Sequence, residues 1–431
     1  MKVLLIQSYL GGKEPPVYPI GLASLKTALP DHDVTVLDLN MVPEPFDELS
    51  RVIREINPEV VGISLRNIDS THQRTVTFYY AHLKTTLDVI KPLTNAKIVI
   101  GGSGFSMFAE EIMAEEPRLE YGVHLEGELT FPDLLNNLET PDQVKSIYYR
   151  EGETVHYTGK VERQVDMNEI VLAANSPVPF APYQVNPEAI GVESKRGCVL
   201  DCIYCIYGFL NGKKLRMRDP AKVVDEIESL VNDHGVERFT FVDSIFNVPI
   251  RHAEAICEEI IKRGVKVKWS AWFNEKQVTR KLLDLCQQAG CDNVILSPDG
   301  FSDETLEKLG KNLSNQDILD AYDLFCETKG MTFSYNFFKN PPGQTLSGAF
   351  AMLRFLIKAK RTFGRRMSFN LNSMRVEPHT ALYDRAVEEG IVQPGENLLH
   401  PKTYIYKPTA YIEHFFNLLL MAKDGVRALI R

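Results

Sequence analysis

The first 140 residues alternate short, β-branched apolar runs with longer stretches whose apolar residues recur every three to four positions. Such runs predict strands, and the longer spacing predicts helices that bury one face. Strands are predicted at 2–6, 33–37, 60–64, 97–100 and 121–124, and helices at 20–28, 45–56, 72–90, 106–114 and 130–138. This alternation is typical of a doubly wound, Rossmann-like α/β domain, which binds ligands at the carboxyl edge of its strands.

The same alternation returns in residues 188–400, where it predicts a partial (β/α)6 barrel. Strands are predicted at 189–193, 238–242, 266–272, 292–297, 332–337 and 367–371. Helices are predicted at 221–233, 250–262, 275–289, 303–309, 316–328 and 346–360. The active site of such a barrel lies at the carboxyl ends of its strands. The last segment, 401–431, carries one amphipathic helix at 411–429, which we expect to pack on the barrel or to close its bottom.

Residues 141–187 separate the two regions and are predicted to form a linker. It begins with a hairpin that turns at Glu151 and Gly152. A proline-rich stretch at 175–187 follows, and proline blocks regular structure. Its aromatic residues, Phe180 and Tyr183, are predicted to be packing residues rather than substrate contacts.

Composition narrows the class of protein. The 431 residues are 44% hydrophobic and 24% charged, as in ordinary globular proteins. The net charge of −9 argues against nucleic-acid binding, which usually shows a basic excess. No apolar stretch is long enough for a membrane span, and the first residues are too short an apolar run for a signal peptide. We therefore expect a soluble, cytoplasmic protein.

Three of the seven cysteines lie within eight residues, Cys198, Cys202 and Cys205, at spacing C-x3-C-x2-C. In a reducing compartment, clustered thiolates are ligands for metals rather than disulfide partners. An iron–sulfur cluster normally needs four ligands, so three leave one iron open to a small molecule. The alternative is zinc, but structural zinc needs four ligands, and no Cys or His pair follows at finger spacing.

This loop resembles that of the radical S-adenosylmethionine (SAM) enzymes. Arg196 and Gly197 precede the first cysteine, and Tyr204 precedes the last, as in that family. The resemblance implies a [4Fe-4S] cluster on the three cysteines, which bind its metal and are catalytic. It also implies that SAM chelates the free iron and is cleaved to a 5′-deoxyadenosyl radical. An electron donor such as flavodoxin or ferredoxin is implied as a partner.

The first domain resembles the cobalamin (B12)-binding domain of B12-dependent radical SAM proteins. The segments PIGLASLKTAL, PEVVGISL, IVIGGSG and HLEGELTF carry the resemblance, although the first glycine of the family's G-E-G-E segment is missing. It implies cofactor contacts at strand ends, namely Arg66, Asn67, Gly101, Gly102, Gly104, Glu126 and Gly127. The glycines would let backbone N–H groups approach a nucleotide tail, but many αβ turns carry glycine for geometry alone.

The D-x-H-x-x-G motif that supplies a histidine to cobalt in B12 mutases is absent, because residue 122 is glycine where the motif has aspartate. We therefore expect that His124 does not bind cobalt. Arg66 would lie near the corrin and disfavour a strong lower ligand, or it pairs with Asp69 or a corrin amide. His72 is predicted to be a solvated or core histidine.

The resemblance also assigns SAM contacts in the barrel. These are Tyr204, Asp243 or Ser244, Ser297, Asn336 or Asn340, and Arg375. The alternative for Asp243 is that it caps the next helix. The sequence departs from the family's pattern at two places. The segment from Ser297 to Gly300 stands where the family often has a glutamate-serine pair, and His379 stands where it usually has a glycine.

The function predicted from these resemblances is methyl transfer from SAM, by way of methylcobalamin, to a carbon of a small-molecule substrate. A polar transfer without the adenosyl radical is a variant of it. The alternative enzyme class keeps both cofactors and forms, rearranges or oxidises a ring without methyl transfer. A non-catalytic iron–sulfur sensor is the third hypothesis, and it predicts no 5′-deoxyadenosine from SAM.

Overall fold

The computed structural model describes residues 1–12, 14–70, 76–161, 164–170 and 178–430, with backbone only for 422–430. The chain divides into two compact units. The first comprises Met1–Gly191 and Arg216–Phe239, and the second comprises Val192–Leu215 and Thr240–Arg431. Within the described residues, every helix is too short or too polar to cross a membrane.

The first unit is built on a seven-stranded sheet of order β2-β1-β3-β4-β5-β6-β7. The strands are β1 (Lys2–Gln7), β2 (Asp33–Asp38), β3 (Val60–Ser64), β4 (Lys97–Gly101), β5 (Tyr121–Val123), β6 (Ile147–Glu151) and β7 (Thr154–Tyr157). The helices are α1 (Ile20–Thr27), α2 (Pro45–Ile56), α3 (Tyr79–Ile90), α4 (Ser103–Met107), α5 (Ala109–Glu115) and α6 (Gly127–Asn136). The first five strands pair in parallel, and the order reverses between β1 and β3. This confirms the predicted doubly wound domain.

The predicted linker hairpin belongs to this sheet. Its strands β6 and β7 pair antiparallel, and β6 also pairs antiparallel with β5. Ile147 of β6 joins the core of Val60, Val99 and Leu134, so the hairpin packs against the first unit. Phe180 and Tyr183 of the proline-rich stretch are 3% and 2% exposed, which confirms that they are packing residues.

The second sheet has six strands in the order β15-β14-β13-β12-β11-β8. Strands β8 to β17 are Gly191–Val192, Lys195–Arg196, Arg216–Met217, Arg238–Phe241, Lys268–Phe273, Cys291–Asp299, Thr332–Phe338, Met367–Asn372, Met374–Val376 and Lys402–Tyr404. Helices α7 to α15 are Tyr207–Leu210, Pro220–Asn232, Ile250–Arg263, Arg280–Gln288, Asp303–Lys308, Asn315–Glu327, Leu346–Phe363, Ala381–Glu388 and Ala410–Ile430. Neighbouring strands from β12 to β15 pair in parallel, as in the predicted partial barrel.

Three predicted helices differ most from the observed ones, at their starts or in their continuity. The helix predicted at 72–90 begins at Tyr79, and residues 71–75, with His72, lie outside the described residues. The helix predicted at 106–114 is two helices, because Phe108 between them has φ −131° and ψ 33°. The helix predicted at 275–289 is a 3₁₀ turn followed by α10, whose first turn is capped by the Thr279 side chain.

The C-terminal helix α15 lies at the carboxyl ends of β14 and β15, so it does not close the bottom of the barrel. Glu413 of α15 pairs with Lys339, which directly follows β14, at 2.8 Å. It also accepts a hydrogen bond of 2.6 Å from Ser373, which directly follows β15. A buried ion pair therefore fixes α15 beside the strand ends where the candidate site lies.

Candidate active site

The three cysteines lie on one loop of the second unit, after β8 and β9. Gly197 has φ +98°, and a Cβ at this position would lie 2.2 Å from the Lys214 carbonyl oxygen. The Cys198 N–H donates to the Gly212 carbonyl at 3.0 Å. The loop therefore folds back on residues 212–214, and only glycine fits at its first turn.

The three thiols are free and sheltered from solvent, with Cys198 buried and the other two partly buried. Burial raises the pKa of Cys202, and nearby Lys311 opposes this rise. Burial likewise raises the pKa of Cys205 to about 11. Thiolates in such surroundings need a compensating cation, which is what a metal centre supplies.

Among the described side chains, no three of His, Cys, Asp or Glu lie close enough to share a single metal ion. A cubane cluster makes no such demand, because each cysteine ligates a different iron. The donor set therefore fits an iron–sulfur cluster with three protein ligands.

Asp243 follows β11 and forms hydrogen bonds with Ser194 and Lys195, which lead into the cysteine loop. Its carboxylate accepts hydrogen bonds from the backbone N–H and the hydroxyl of Ser194, and from Lys195 Nζ at 2.9 Å. The side chains of Lys195 and Asp243 are 2% and 0% exposed. Both Asp243 oxygens therefore accept hydrogen bonds within the protein, and the next helix, α9, begins after Pro249 without Asp243 as its cap. The partly exposed Ser244 next to it remains available.

Asn336 and Asn340 were expected to hold the ribose hydroxyls of SAM. Asn340 is 2% exposed, and its amide donates to the Tyr406 carbonyl while its oxygen accepts from Thr409. Its polar atoms are used within the protein, so it is not placed to bind ribose. Asn336 is partly exposed on β14 and contacts Leu296 and Asn370.

Ser297 and Arg375 are placed by contacts within the protein. The Ser297 carbonyl accepts a hydrogen bond of 2.8 Å from Lys311 Nζ. Arg375, on β16, pairs with Glu377 at 2.9 Å and is 15% exposed. Tyr204, between the last two cysteines, donates its hydroxyl proton to Asp299.

In the first unit, Arg66 and Asn67 are exposed directly after β3. This is the carboxyl edge of the sheet next to the point where the strand order reverses, which is where doubly wound domains bind ligands. The residues present therefore fit a large polar ligand such as a corrin.

Packing within the protein requires glycine at two positions of the IGGSG loop, Gly102 and Gly104. A Cβ at Gly102 would lie 2.6 Å from the Leu65 carbonyl oxygen, and a Cβ at Gly104 would lie 2.9 Å from the Asn67 backbone. The Gly104 N–H already donates to the Leu65 carbonyl at 2.9 Å. These glycines let the loop after β4 approach the loop after β3, whereas Gly101 has no protein atom within 3.5 Å of the Cβ position.

Glu126, expected to contact cofactor, instead forms a two-point ion pair with Arg216, with one Nη1–Oε2 distance of 3.0 Å. Gly127 begins α6, where a Cβ would lie 3.0 Å from Leu25. These two residues are thus explained by packing within the first unit. No motif or spacing indicates Arg216 as the partner of Glu126, because the two residues are 90 positions apart.

The missing aspartate of the D-x-H motif is also explained. Gly122 lies in β5, and a Cβ there would lie 2.2 Å from the Phe105 ring. His124 is 8% exposed, and its Nδ1 lies 3.2 Å from the Tyr157 hydroxyl. An aspartate at position 122 would therefore clash with Phe105, and the His124 ring already has a partner in Tyr157.

One buried carboxyl group near the barrel mouth was missed. Glu275 follows β12, is 2% exposed and has no hydrogen-bond partner for its Oε1 atom. Burial raises its pKa to about 8, while Lys311 lowers it and Asp299 and Asp317 raise it. An acidic residue just after a buried strand was the available signal, as it was for Asp243.

Two family models match the chain. The B12-binding domain model covers residues 13–135, and the radical SAM superfamily model covers residues 192–356. An uncharacterized methyltransferase of Pyrococcus horikoshii is 26% identical over 338 residues, which are 74% of this chain and 70% of that protein. The anaerobic magnesium-protoporphyrin IX monomethyl ester cyclase of Cereibacter sphaeroides is 27% identical over 74% of this chain and 52% of its own length.

The fold is also that of a solved structure. The radical SAM methyltransferase TsrM from Kitasatospora setae, with cobalamin and a [4Fe-4S] cluster bound, superimposes with a TM-score of 0.79 at 23% identity. The match covers 90% of this chain and 75% of that one. The two family models match in the same order as the two predicted domains, so the chain combines a B12-binding domain with a radical SAM domain.

Proposed function

We propose that the protein is a cobalamin-dependent radical SAM methyltransferase that transfers a SAM-derived methyl group to a carbon of a small-molecule substrate. The observation that carries this proposal is the presence, in a chain with a B12-binding domain, of three free thiols on one loop of a radical SAM barrel. A relative named as a methyltransferase and the fold of TsrM, a methyltransferase with both cofactors bound, support the choice of reaction.

When bound, the cluster supplies the electron that cleaves SAM, and the corrin carries the methyl group. Cys198, Cys202 and Cys205 hold the cluster, and Gly197 gives their loop its turn. Asp243 fixes the strand that enters the loop through Ser194 and Lys195.

The remaining polar groups would orient the other ligands. Arg66 and Asn67 present polar groups to the corrin, and their placement at the sheet edge supports this role. Ser244, after β11, and Asn336, within β14, are the SAM contacts that retain exposed surface, and Arg375 takes part through its pair with Glu377. We propose 1–140 and 188–400 as the cobalamin-binding and SAM-binding domains.

An electron donor of the flavodoxin or ferredoxin class completes the proposal, since reductive cleavage of SAM consumes an electron that the chain itself does not supply. The free state of all seven cysteines supports a reducing location such as the cytoplasm.

The test is anaerobic incubation of the reduced, cofactor-loaded protein with SAM labelled in its methyl group and a metabolite extract. Methyl transfer predicts a labelled product that the cysteine-to-alanine variants do not form. Turnover of SAM with an unlabelled, dehydrogenated or cyclised product contradicts methyl transfer.

A ring-forming or oxidising enzyme is the second candidate, because the cyclase of Cereibacter sphaeroides is as similar to the chain as the methyltransferase relative. It predicts that the same experiment yields 5′-deoxyadenosine and a product without the label.

A further inference from the structure

The segment from Ser297 to Gly300, which departs from the family's glutamate-serine pair, reaches into the cysteine loop. Asp299 ends β13 with φ +61°, a left-handed conformation that is unfavourable for a residue other than glycine. This turn directs its carboxylate to the Tyr204 hydroxyl and to Lys311 Nζ, the latter at 2.6 Å. The side chains of Lys311 and Asp299 are 8% and 7% exposed.

The backbone of the same region also docks on the cysteine loop. The Ile203 N–H donates to the Leu309 carbonyl at 3.0 Å. A Cβ at Gly310, which has φ +68°, would lie 2.4 Å from the Asp201 carbonyl oxygen. Lys311 is therefore held beside the cysteines by its chain neighbours as well as by Asp299.

A buried ion pair gives little net stability, because removing both charges from water costs about as much as their attraction returns. The position of this pair is more informative than its stability. Lys311 Nζ lies 5.4 Å from the centre of the Tyr204 ring. Tyr204 stands between Cys202 and Cys205 in the sequence.

We infer that Lys311 is a positioning residue for the electron-transfer step, a fixed positive charge that raises the reduction potential of the cluster. Reduction adds one negative charge to the cluster, and a buried cation stabilises that charge more than a solvated one does. Asp299 and Tyr204 hold Lys311 in place, and Asp299 partly offsets its charge. This inference rests on the proposed cluster.

The experiment is a redox titration of the wild-type cluster and its variants, followed by electron paramagnetic resonance at matched iron content. Lys311→Met is expected to lower the ratio of reduced to oxidised cluster about tenfold at a fixed solution potential, a shift of about 59 mV for one electron. Lys311→Arg keeps the charge and is expected to stay within about twofold of the wild type.

Two further variants separate the charge from a structural effect. Lys213, on the same loop, bonds to Asp201 and is 56% exposed, so Lys213→Met is the matched control, with no more than about a twofold change expected. Asp299→Asn removes the opposing charge and is expected to raise the ratio, the opposite sign to Lys311→Met. A structural disturbance of the loop would move both variants in the same direction.

The inference is overturned if Lys311→Met and Asp299→Asn shift the ratio in the same direction, or if neither shifts it more than twofold. If Lys311→Met loses its iron, Asp299→Asn alone tests the inference. A rise in its ratio of reduced to oxidised cluster supports the inference, and a fall overturns it. A wild-type protein that binds no cluster would contradict the proposed function itself, whereas a normal cluster with unmoved potentials contradicts only the role of Lys311.

Discussion

Glu275 illustrates how burial sets the properties of a single side chain at the barrel mouth. Its folded pKa of about 8 lies above the ordinary value of 4.5, because burial disfavours the charged form. Between these two values the folded state holds a proton that the unfolded state has lost. Stability must therefore fall as the pH rises through this window and level off above pH 8.

This pH dependence of stability leads to a prediction for Glu275→Gln, whose side chain keeps the shape of glutamate and stays neutral at every pH. The advantage of the variant over the wild type in free energy of unfolding should grow between pH 5 and 8, by up to about 1.4 kcal/mol per pH unit. Trp269 and Trp272, the two tryptophans of the chain, both lie in β12, so urea unfolding followed by their fluorescence reports on this unit. Glu307→Gln, at an exposed position, is the control, and a pH-independent difference at Glu275 would contradict the account.

The cysteine loop depends on two glycines with positive φ whose surroundings differ. A Cβ added at Gly197 would clash with the Lys214 carbonyl. Gly212, with φ +80°, has no atom within 4 Å of its Cβ position. Gly212→Ala should cost roughly 1–2 kcal/mol and keep its iron after reconstitution. Gly197→Ala should cost more and lose most of its iron, because its loop must shift. Equal iron content in the two variants would show that the loop geometry is not needed.

The αβ loop after β4 offers a similar comparison in the first unit. Gly104→Ala is expected to weaken cobalamin binding, since its Cβ would push the loop away from Asn67. Gly101→Ala, where the nearest atom is 3.6 Å away, is expected to bind as the wild type does. Absorbance titration of the apoprotein with hydroxocobalamin measures both. Identical affinities would remove this loop from the cobalamin site.

The local pattern of apolar residues correctly predicts the elements that are buried because of their own residues. It fails for features that depend on contacts between residues distant in the chain. The prediction of the strand at 60–64 is correct to the residue, because the segment is short and its β-branched residues are Val60, Val61 and Ile63. The position of α15 depends on contacts of Glu413 with Lys339 and Ser373, which are distant in the chain. The three cysteines were recognisable because their ligand set is local. The links from Asp299 to Tyr204 and from Glu126 to Arg216 span 95 and 90 positions, and no spacing within the chain reveals them.

At the scale of the whole molecule, the pair between Lys339 and Glu413 ties the C-terminal helix to the strand ends. The two side chains are 4% and 2% exposed. Lys339→Met should lower the free energy of unfolding by about 3–5 kcal/mol, because it leaves a buried carboxylate without its cation. The double variant with Glu413→Gln should recover most of this loss. Tryptophan fluorescence during urea unfolding is the measurement.

The exposed pair between Lys308 and Glu304 is the control for that variant. Its side chains are 39% and 54% exposed, so Lys308→Met should cost no more than about 1 kcal/mol. A double variant as unstable as Lys339→Met alone would show that α15 is held by something other than this pair.

The account rests on one chain carrying two metal cofactors through separate sets of residues. Its most direct test is to quantify iron, sulfide and corrin in anaerobically reconstituted wild-type protein and in the variant with Cys198, Cys202 and Cys205 all replaced by alanine. The account predicts about four irons, four sulfides and one corrin per wild-type chain. It predicts that the variant loses the iron and sulfide while it keeps the corrin. Iron retained in the variant, or a wild-type chain that binds no corrin, would contradict it.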